Sequence, residues 1–365
     1  MQSTNIAYYI TNHGYGHGVR TSDVIRALGE QNPSVRLTLI TGLPPAFLRN
    51  RISGIHVDIQ NRQFDFGMEQ IDSVRVDVPE TLRKITALYD KEDTLVDEEA
   101  EWLKRQEIDT VVCDIPAMPL LSAAKAGIPS IAVANFTWAW IYEEFSEHDS
   151  RWQRIIDRMN AAYAQADLLL RTPFAENLQV FPRRKEIGLL ARPGNADRTR
   201  LANLSGADPE RKWVLLSFTT LEWNESALKE VAALKDYAFF TVVPLAWNAP
   251  NIFPIEREEF PVADLFASVD VVLSKPGFGV LSECVANRKP ILYVERENFR
   301  EYPVLETALK RNLTHLHIPS EDLYRGLIGE YLSAIQTAAP PLEPLTMGGD
   351  LQAAQAILSS KATSG

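Results

Sequence analysis

Two stretches of the chain gather residue types that do chemistry. The first reads Thr11-Asn12-His13-Gly14-Tyr15-Gly16-His17-Gly18-Val19-Arg20. Its glycines let a backbone turn tightly and approach a ligand closely, while His13, His17 and Arg20 add proton transfer and anion binding. The second reads Ser274-Lys275-Pro276-Gly277-Phe278-Gly279-Val280-Leu281-Ser282-Glu283. It follows an apolar run and opens a helical one, so unbonded N–H groups and the positive helix end favour an anion. Gly277 and Gly279 leave room for a phosphate, Lys275 adds positive charge, and Glu283 is a carboxylate able to take two hydrogen bonds from a ribose diol. Neither stretch is a standard nucleotide fingerprint. Glycines at 14, 16 and 18 misplace the third glycine of a dinucleotide motif, and no acidic strand end follows Ile40. The second stretch lacks the Gly-Lys-Ser/Thr ending of a P-loop, which argues against nucleoside triphosphate hydrolysis.

The elements that must position these loops are legible from periodicity. Asn5-Ile10, Arg36-Ile40, Thr110-Cys113, Ser130-Ala134 and Asp167-Leu170 read as strands, the last as the final convincing one of its half. Helices are expected from about Thr21 to Glu30, over Leu120-Ala126 and over Arg151-Ala166. From Phe181 to Arg211 periodicity lapses and Pro, Arg, Gly, Asn and Asp collect, as in a linker. The pattern restarts at Trp213-Phe218, with a helix at Glu225-Lys235. Strands follow at Ala238-Val243, Asp270-Ser274, Pro290-Val294 and Thr314-Ile318, and a final helix at Leu351-Ser359. Strand and helix in alternation argue α/β structure with parallel sheets. The expected architecture is two Rossmann-like doubly wound domains facing a central cleft: 1–185, 186–345, and a returning C-terminal helix in 346–365. Ligands then belong at the carboxyl ends of the strands.

Length and composition agree with two globular domains. The chain has 365 residues, 45% hydrophobic and 23% charged, with 37 basic against 48 acidic side chains and a net charge of -11. Such a surface repels phosphate backbones and anionic lipid. Its longest basic runs are Arg183-Arg184-Lys185 and Lys310-Arg311, so nucleic acid is not an expected partner. No apolar run nears the roughly 20 residues of a membrane helix, and the first residues show no signal peptide. Cys113 and Cys284 lie in apolar stretches and read as reduced, buried thiols. The expected location is the cytoplasm. His315 and His317 alternate with Leu316 and Ile318 like one face of a strand, and no zinc spacing occurs. Neither metal nor cofactor is expected.

With those motifs in place, the chain resembles inverting glycosyltransferases of the two-domain GT-B fold. Among them are the plant UDP-sugar-dependent transferases and the lipid II-forming N-acetylglucosaminyltransferase. Val271-Val294, ending in Asn287-Arg288-Lys289-Pro290-Ile291-Leu292, resembles their donor-binding segment, with Gly277 six positions before Glu283. The resemblance implies that Glu283 holds the ribose and that Lys275, Gly277, Phe278, Gly279 and Val280 meet the diphosphate. Ser217-Phe218-Thr219-Thr220 resembles the phosphate loop of their second domain, and Phe260-Pro261 falls where backbone reads the nucleobase. His17 matches the base on the acceptor hydroxyl, and Asp114 the aspartate that orients it. His13-Gly14-Tyr15-Gly16-His17-Gly18 and Tyr293-Val294-Glu295-Arg296 also resemble the transferase-like N-terminal part of plant arabinose kinases. Departures occur at Phe299-Arg300-Glu301, where the plant enzymes set an acidic residue and a glutamine against the sugar, and at Thr219, where glycine is usual.

The implied function is metal-independent transfer of a sugar from a nucleoside diphosphate sugar, UDP foremost, to a small-molecule or glycoside acceptor hydroxyl. His13, Arg20, Trp138 and Trp140 are candidates for the acceptor side, since indole faces stack on sugars and flat rings. The two tryptophans equally suit an interdomain core. An epimerase of the same fold, and a silent nucleotide-sugar-binding protein, are the competing readings. Neither the donor sugar, the acceptor nor the oligomeric state follows from the residues.

Overall fold

The computed structural model describes residues 4–52, 54–69, 76–147, 149–296 and 300–360. Two compact units result, one reaching Ala191 and resuming at Thr346, the other running from Arg192 to Leu345. The first unit contains β1 (Asn5–Ile10), α1 (Tyr15–Gln31), β2 (Arg36–Ile40), α2 (Pro45–Arg51), β3 (Val57–Gln60), α3 (Val78–Tyr89), α4 (Glu92–Arg105) and β4 (Thr110–Asp114). It continues with α5 (Met118–Ala126), β5 (Ser130–Ala134), α6 (Trp138–Tyr142), α7 (Ser150–Tyr163), β6 (Leu168–Arg171) and β7 (Arg184–Glu186). The second holds α8 (Arg198–Ser205), β8 (Lys212–Leu216), α9 (Glu225–Ala232), β9 (Tyr237–Val242), β10 (Ile252–Ile255), α10 (Val262–Ser268) and β11 (Val271–Ser274). Then come α11 (Phe278–Ala286), β12 (Ile291–Tyr293), α12 (Tyr302–Asn312), β13 (His315–His317), α13 (Ser320–Tyr324) and α14 (Gly329–Ala334). The chain then returns to the first unit as α15 (Gly349–Ser359).

Both sheets are parallel and doubly wound. Their orders are β3-β2-β1-β4-β5-β6-β7 and β10-β9-β8-β11-β12-β13. In each, the winding reverses between the first strand and the fourth, which opens a crevice at their carboxyl ends. The strands read as near-continuous apolar runs because both faces are covered. In β1 every residue is buried, with Ala7 and Tyr9 on one face and Ile6, Tyr8 and Ile10 on the other, each face meeting its own core. In the second unit Val214, Leu216, Phe239, Leu273 and Leu292 anchor a corresponding core.

Three expectations need correction. The first helix starts at Tyr15, not near Thr21, so half of the supposed loop is helical. Glycine is a poor helix former by about 1 kcal/mol, and Gly16 and Gly18 hid the first turns. Gly14 at φ 75 supplies the left-handed N-cap. At Gly18 a Cβ would lie 2.7 Å from Phe47 and 2.8 Å from Leu43, so close packing on neighbouring residues offsets the poor propensity. The supposed linker 181–211 contains β7 and α8. All three residues of β7 are exposed charged side chains on an edge strand, which leaves no apolar alternation to read. It is β7, not the strand ending near Leu170, that closes the first sheet.

Helix α15 contributes Ala353, Ala354 and Ile357 to the core that holds Val24, Ile25 and Leu28 of α1. The return crossing is tight: a Cβ on Gly349 would sit 1.9 Å from the Gly188 carbonyl oxygen. No described helix is long and apolar enough to cross a membrane.

Candidate functional site

At the first reversal point, Asp114 ends β4 directly beside Ile10 of β1, and the Thr11 N–H donates to its carbonyl at 2.8 Å. Helix α1 then sets His17, Arg20 and Thr21 on one face, three and four residues apart. That face closes on the Asp114 carboxylate. His17 Nδ1 lies 2.8 Å from Oδ1, Arg20 Nε donates to Oδ2 at 2.7 Å, and the Thr21 hydroxyl donates to Oδ2 at 3.0 Å. Arg20 Nη2 adds a second short contact to Oδ1, and Nη1 donates to Asn135 Oδ1 at 2.6 Å, just past β5.

The electrostatics follow from this packing. Burial pushes the Asp114 carboxyl up, but Arg20 and His17 outweigh it and hold it well below the usual carboxylate range. Burial and then Arg20 push His17 below its ordinary value, against the pull of Asp114. At neutral pH the imidazole is therefore uncharged. Its Nδ1 proton is committed to the carboxylate, and its lone pair is on Nε2. Such a ring can accept a proton and be stabilised as it does so.

His13 and Trp138 lie at the same end of the unit but outside this network. His13 Nδ1 accepts from the Met68 N–H at 3.2 Å. Trp138 is buried, with His13 and Phe136 edge-on at 5.0 and 5.3 Å and Tyr142 stacked at 6.0 Å. Its Nε1 donates to Asp65 at 2.9 Å. Its ring is thus core, not a platform for an acceptor, and Trp140 packs half-buried against the same core. Arg20 also differs from expectation, being buried on Asp114 rather than offered to an acceptor.

At the second reversal point β8 and β11 end side by side. The Ser217 N–H donates to Leu273 at 3.0 Å, and the Ser274 hydroxyl to the Ser217 carbonyl at 2.6 Å. Thr219 and Thr220 follow β8 and are exposed, while Lys275 follows β11 and is half-buried. Helix α11 opens at Phe278 behind Gly277, whose extended backbone (φ -152) has no side chain to cap the first turn. Among the described residues, a Cβ at Gly277 would meet nothing within 4 Å, so none of them requires glycine there. Gly279 and Val280 complete that first turn, and Glu283 lies a turn further on, taking a hydrogen bond from Asn287 at 3.2 Å.

The next strand, β12, leads to Arg300 and Glu301 at the start of α12; Phe299 lies outside the described residues. Glu301 is buried, and its charge bears on Arg296, whose guanidinium burial pushes down. Arg296 also reaches the Pro276 carbonyl at 3.5 Å. Phe260 is buried under the Arg200 guanidinium at 5.1 Å, and its N–H donates to Glu256.

Asn135, Thr21, Asp65 and Arg296 were not singled out from sequence. The first three surround the end of β1 and β4, and only the helix spacing of Thr21 offered a signal. Among the described residues no His, Cys, Asp or Glu cluster has the arrangement of a metal site. His317 instead pairs with Glu295 at 2.7 Å, and His315 Nδ1 with the Leu313 carbonyl at 2.8 Å. Both cysteines are buried and unpaired with each other, and burial pushes their thiols up.

No protein-family model matches the chain. Among curated proteins it is similar to L-arabinokinase of Arabidopsis thaliana, 28% identical over 364 residues. That alignment takes in 95% of this chain and 33% of the relative, so the chain spans about a third of that protein's length. Among solved structures it is similar to the glycotransferase of kitacinnamycin (TM-score 0.62, 15% identity, 99% and 96% of the two chains). It is also similar to a UDP-glucosyltransferase from Polygonum tinctorium capable of glucosylating indoxyl (0.63, 12%, 99% of each chain). A third is Arabidopsis thaliana UGT89C1 complexed with UDP-L-rhamnose (0.63, 12%, 99% and 100%). The chain has the GT-B fold of these glycosyltransferases, two Rossmann-like domains with parallel sheets.

Proposed function

We propose that the chain is an inverting, metal-independent glycosyltransferase moving a sugar from a nucleoside diphosphate sugar, UDP foremost, to an acceptor hydroxyl. The observation that carries this reading is the buried His17–Asp114 pair, 2.8 Å apart, on the reversal point of a GT-B first domain. An acceptor hydroxyl holds its proton until late in attack. His17 Nε2 takes that proton as the oxygen bonds the anomeric carbon, and the sugar–diphosphate bond breaks with its electron pair on the departing phosphate. Asp114, held ionised by Arg20, stabilises the imidazolium. Removal of such a base costs roughly 10² to 10⁴ in rate.

The donor belongs to the second unit. Lys275, Thr219, Thr220 and the α11 N-terminus behind Gly277 would neutralise the departing diphosphate, the part a metal plays in other transferases. Glu283 would hold the ribose, and Arg300 with Glu301 would bear on the sugar. The space at Gly277 supports this, since no described residue would meet a Cβ there within 4 Å. The UDP-L-rhamnose bound by a structural neighbour supports the nucleotide, and arabinose, the sugar of the similar L-arabinokinase, is the first sugar to test.

Calorimetry with UDP in excess chelator is the first test, followed by UDP release from a panel of UDP-sugars and the anomeric configuration of the product. We expect binding to persist in chelator and the configuration to invert. Binding that needs Mg²⁺, or a retained configuration, would refute the respective half of the proposal.

A further inference from the structure

We propose that Asn12 and Gln63 bind the acceptor through a neutral vicinal diol, of the kind sugars and polyols carry. Their side-chain amides meet over Gly42 and engage hydroxyls remote from the one that His17 deprotonates. That this ligand is the acceptor rests on the transfer reading above; the amide site does not.

The three residues stand just beyond the carboxyl ends of β1, β2 and β3, which the sheet order sets side by side. Gly42 does not have a positive φ, so its lack of a side chain is a matter of space. A Cβ there would lie 2.1 Å from Gln63 Nε2 and 2.9 Å from Asn12 Nδ2. Both amide nitrogens thus close on one spot, and Gly42 is what admits them. Asn12 Oδ1 is sealed from solvent, yet it accepts from no described residue. Thr11, next to Asn12, donates its N–H to the Asp114 carbonyl. Because β2 and β4 flank β1, Gly42 stands two strand spacings, roughly 10 Å, from Asp114.

A buried amide oxygen without a donor is unfavourable, and native structures keep such a group where a ligand or water completes it. An amide and a hydroxyl suit one another, because each both gives and takes a hydrogen bond. One amide offers its oxygen and its NH2 side by side. Two adjacent hydroxyls therefore satisfy Asn12 together, one donating to Oδ1 and one accepting from Nδ2, and the Gln63 NH2 adds a further donor. Neither amide is charged. The adjoining cation, Arg62, is committed to Glu99 and lies over the Trp102 ring at 4.3 Å, so the pair suits a neutral ligand and not a phosphate or carboxylate. Standing two strands from Asp114, the amides fix the far side of the acceptor while His17 acts on the near side. An aromatic acceptor with a single hydroxyl has no second oxygen to offer them.

Nitrogen-15 spectra of the full chain, labelled in its asparagine and glutamine side chains, read the site directly. Among the methyl glycosides of L-arabinose, D-xylose, D-glucose and D-galactose, at least one should shift the Asn12 and Gln63 NH2 signals together and saturably, with no UDP present. Gln63→Glu, equal in size but without the NH2, should weaken that glycoside about two- to tenfold, the worth of one hydrogen bond. Gly42→Ala should weaken it to a similar extent, because its methyl group displaces an exposed, flexible amide and not backbone. Signals unmoved by every glycoside, signals moved as far by phenol, or a Gln63→Glu variant with wild-type glycoside affinity would overturn the proposal. A glycoside that binds in this way but receives no sugar from any UDP-sugar would sink the transfer reading and the acceptor role with it, and leave the diol site standing.

Discussion

His17 combines two properties that rarely coincide in a histidine: an ionised carboxylate on one nitrogen and an environment that disfavours the charged ring. Burial first and Arg20 second oppose protonation of His17, while Arg20 also holds Asp114 ionised. Turnover should therefore fall on the acid side only as pH drops through a value below 6.5, the ordinary histidine pKa. An acid limb in the kcat/KM profile at or above that value would count against His17 as base. Replacing His17 by Ala should cost roughly 10² to 10⁴ in turnover with UDP affinity unchanged by calorimetry, and Asp114→Asn should show a smaller defect. Asp65 makes a separate, stability-based prediction. Burial pushes its carboxyl up to about 6, above the roughly 3.9 of an unfolded chain. The folded state thus binds the proton more tightly, and stability is lost as pH rises from about 4 through about 6. Asp65→Asn has no such loss, so its Tm should exceed that of wild type at pH 8, and the gap should narrow toward pH 4. Thermal melts at both ends of the range decide it. His17 and Asp114 were legible in sequence because the motifs around them resemble those of the transferases, and both lie at or just after the end of a strand. Arg20 was legible as a residue but not as a partner, since its pairing depends on a helix whose first turns Gly16 and Gly18 concealed. Asp65 follows a strand and precedes a helix that were both missed, so nothing marked it.

Helix α11 begins behind a glycine that no described neighbour demands. Gly18, Gly194 and Gly349 are each held by a neighbour that a Cβ would strike within 3 Å, whereas at extended Gly277 a Cβ would meet no described residue within 4 Å. Gly277→Ala should therefore cost no more than the roughly 1 kcal/mol of a poorer N-cap, while weakening UDP binding. A variant that binds UDP normally would mean no phosphate approaches that turn. On the same helix, Glu283→Ala should weaken UDP about ten- to hundredfold through loss of charge-assisted bonds of roughly 1.5 to 3 kcal/mol. An unchanged dissociation constant would leave Glu283 as nothing more than a partner of Asn287. Buried strands such as β1, β4, β8 and β11 were legible because both faces are apolar. The edge elements β3 and β7 were not, since half-exposed or charged residues erase the alternation on which reading depends.

At the scale of the molecule, α15 makes the first unit discontinuous in sequence. Ile357 is fully buried against the α1 face, so Ile357→Ala should cost about 2 to 5 kcal/mol. Protease or hydrogen-exchange measurements should locate that loss in the first unit, not in the second, which precedes Ile357 in sequence. A loss confined to the second unit would contradict the core assignment. The same feature has a bearing on synthesis. Once the last strand of the first sheet has left the ribosome, about 150 residues of the second unit must still be made before α15 can dock, roughly 8 to 30 s at ordinary elongation rates of about 5 to 20 residues per second. Throughout that interval Val24, Ile25 and Leu28 lack their cover, and the nascent first unit presents an apolar furrow to its surroundings. Chaperone occupancy on the translating chain should accordingly persist until α15 emerges, long after His17 and Asp114 have been translated.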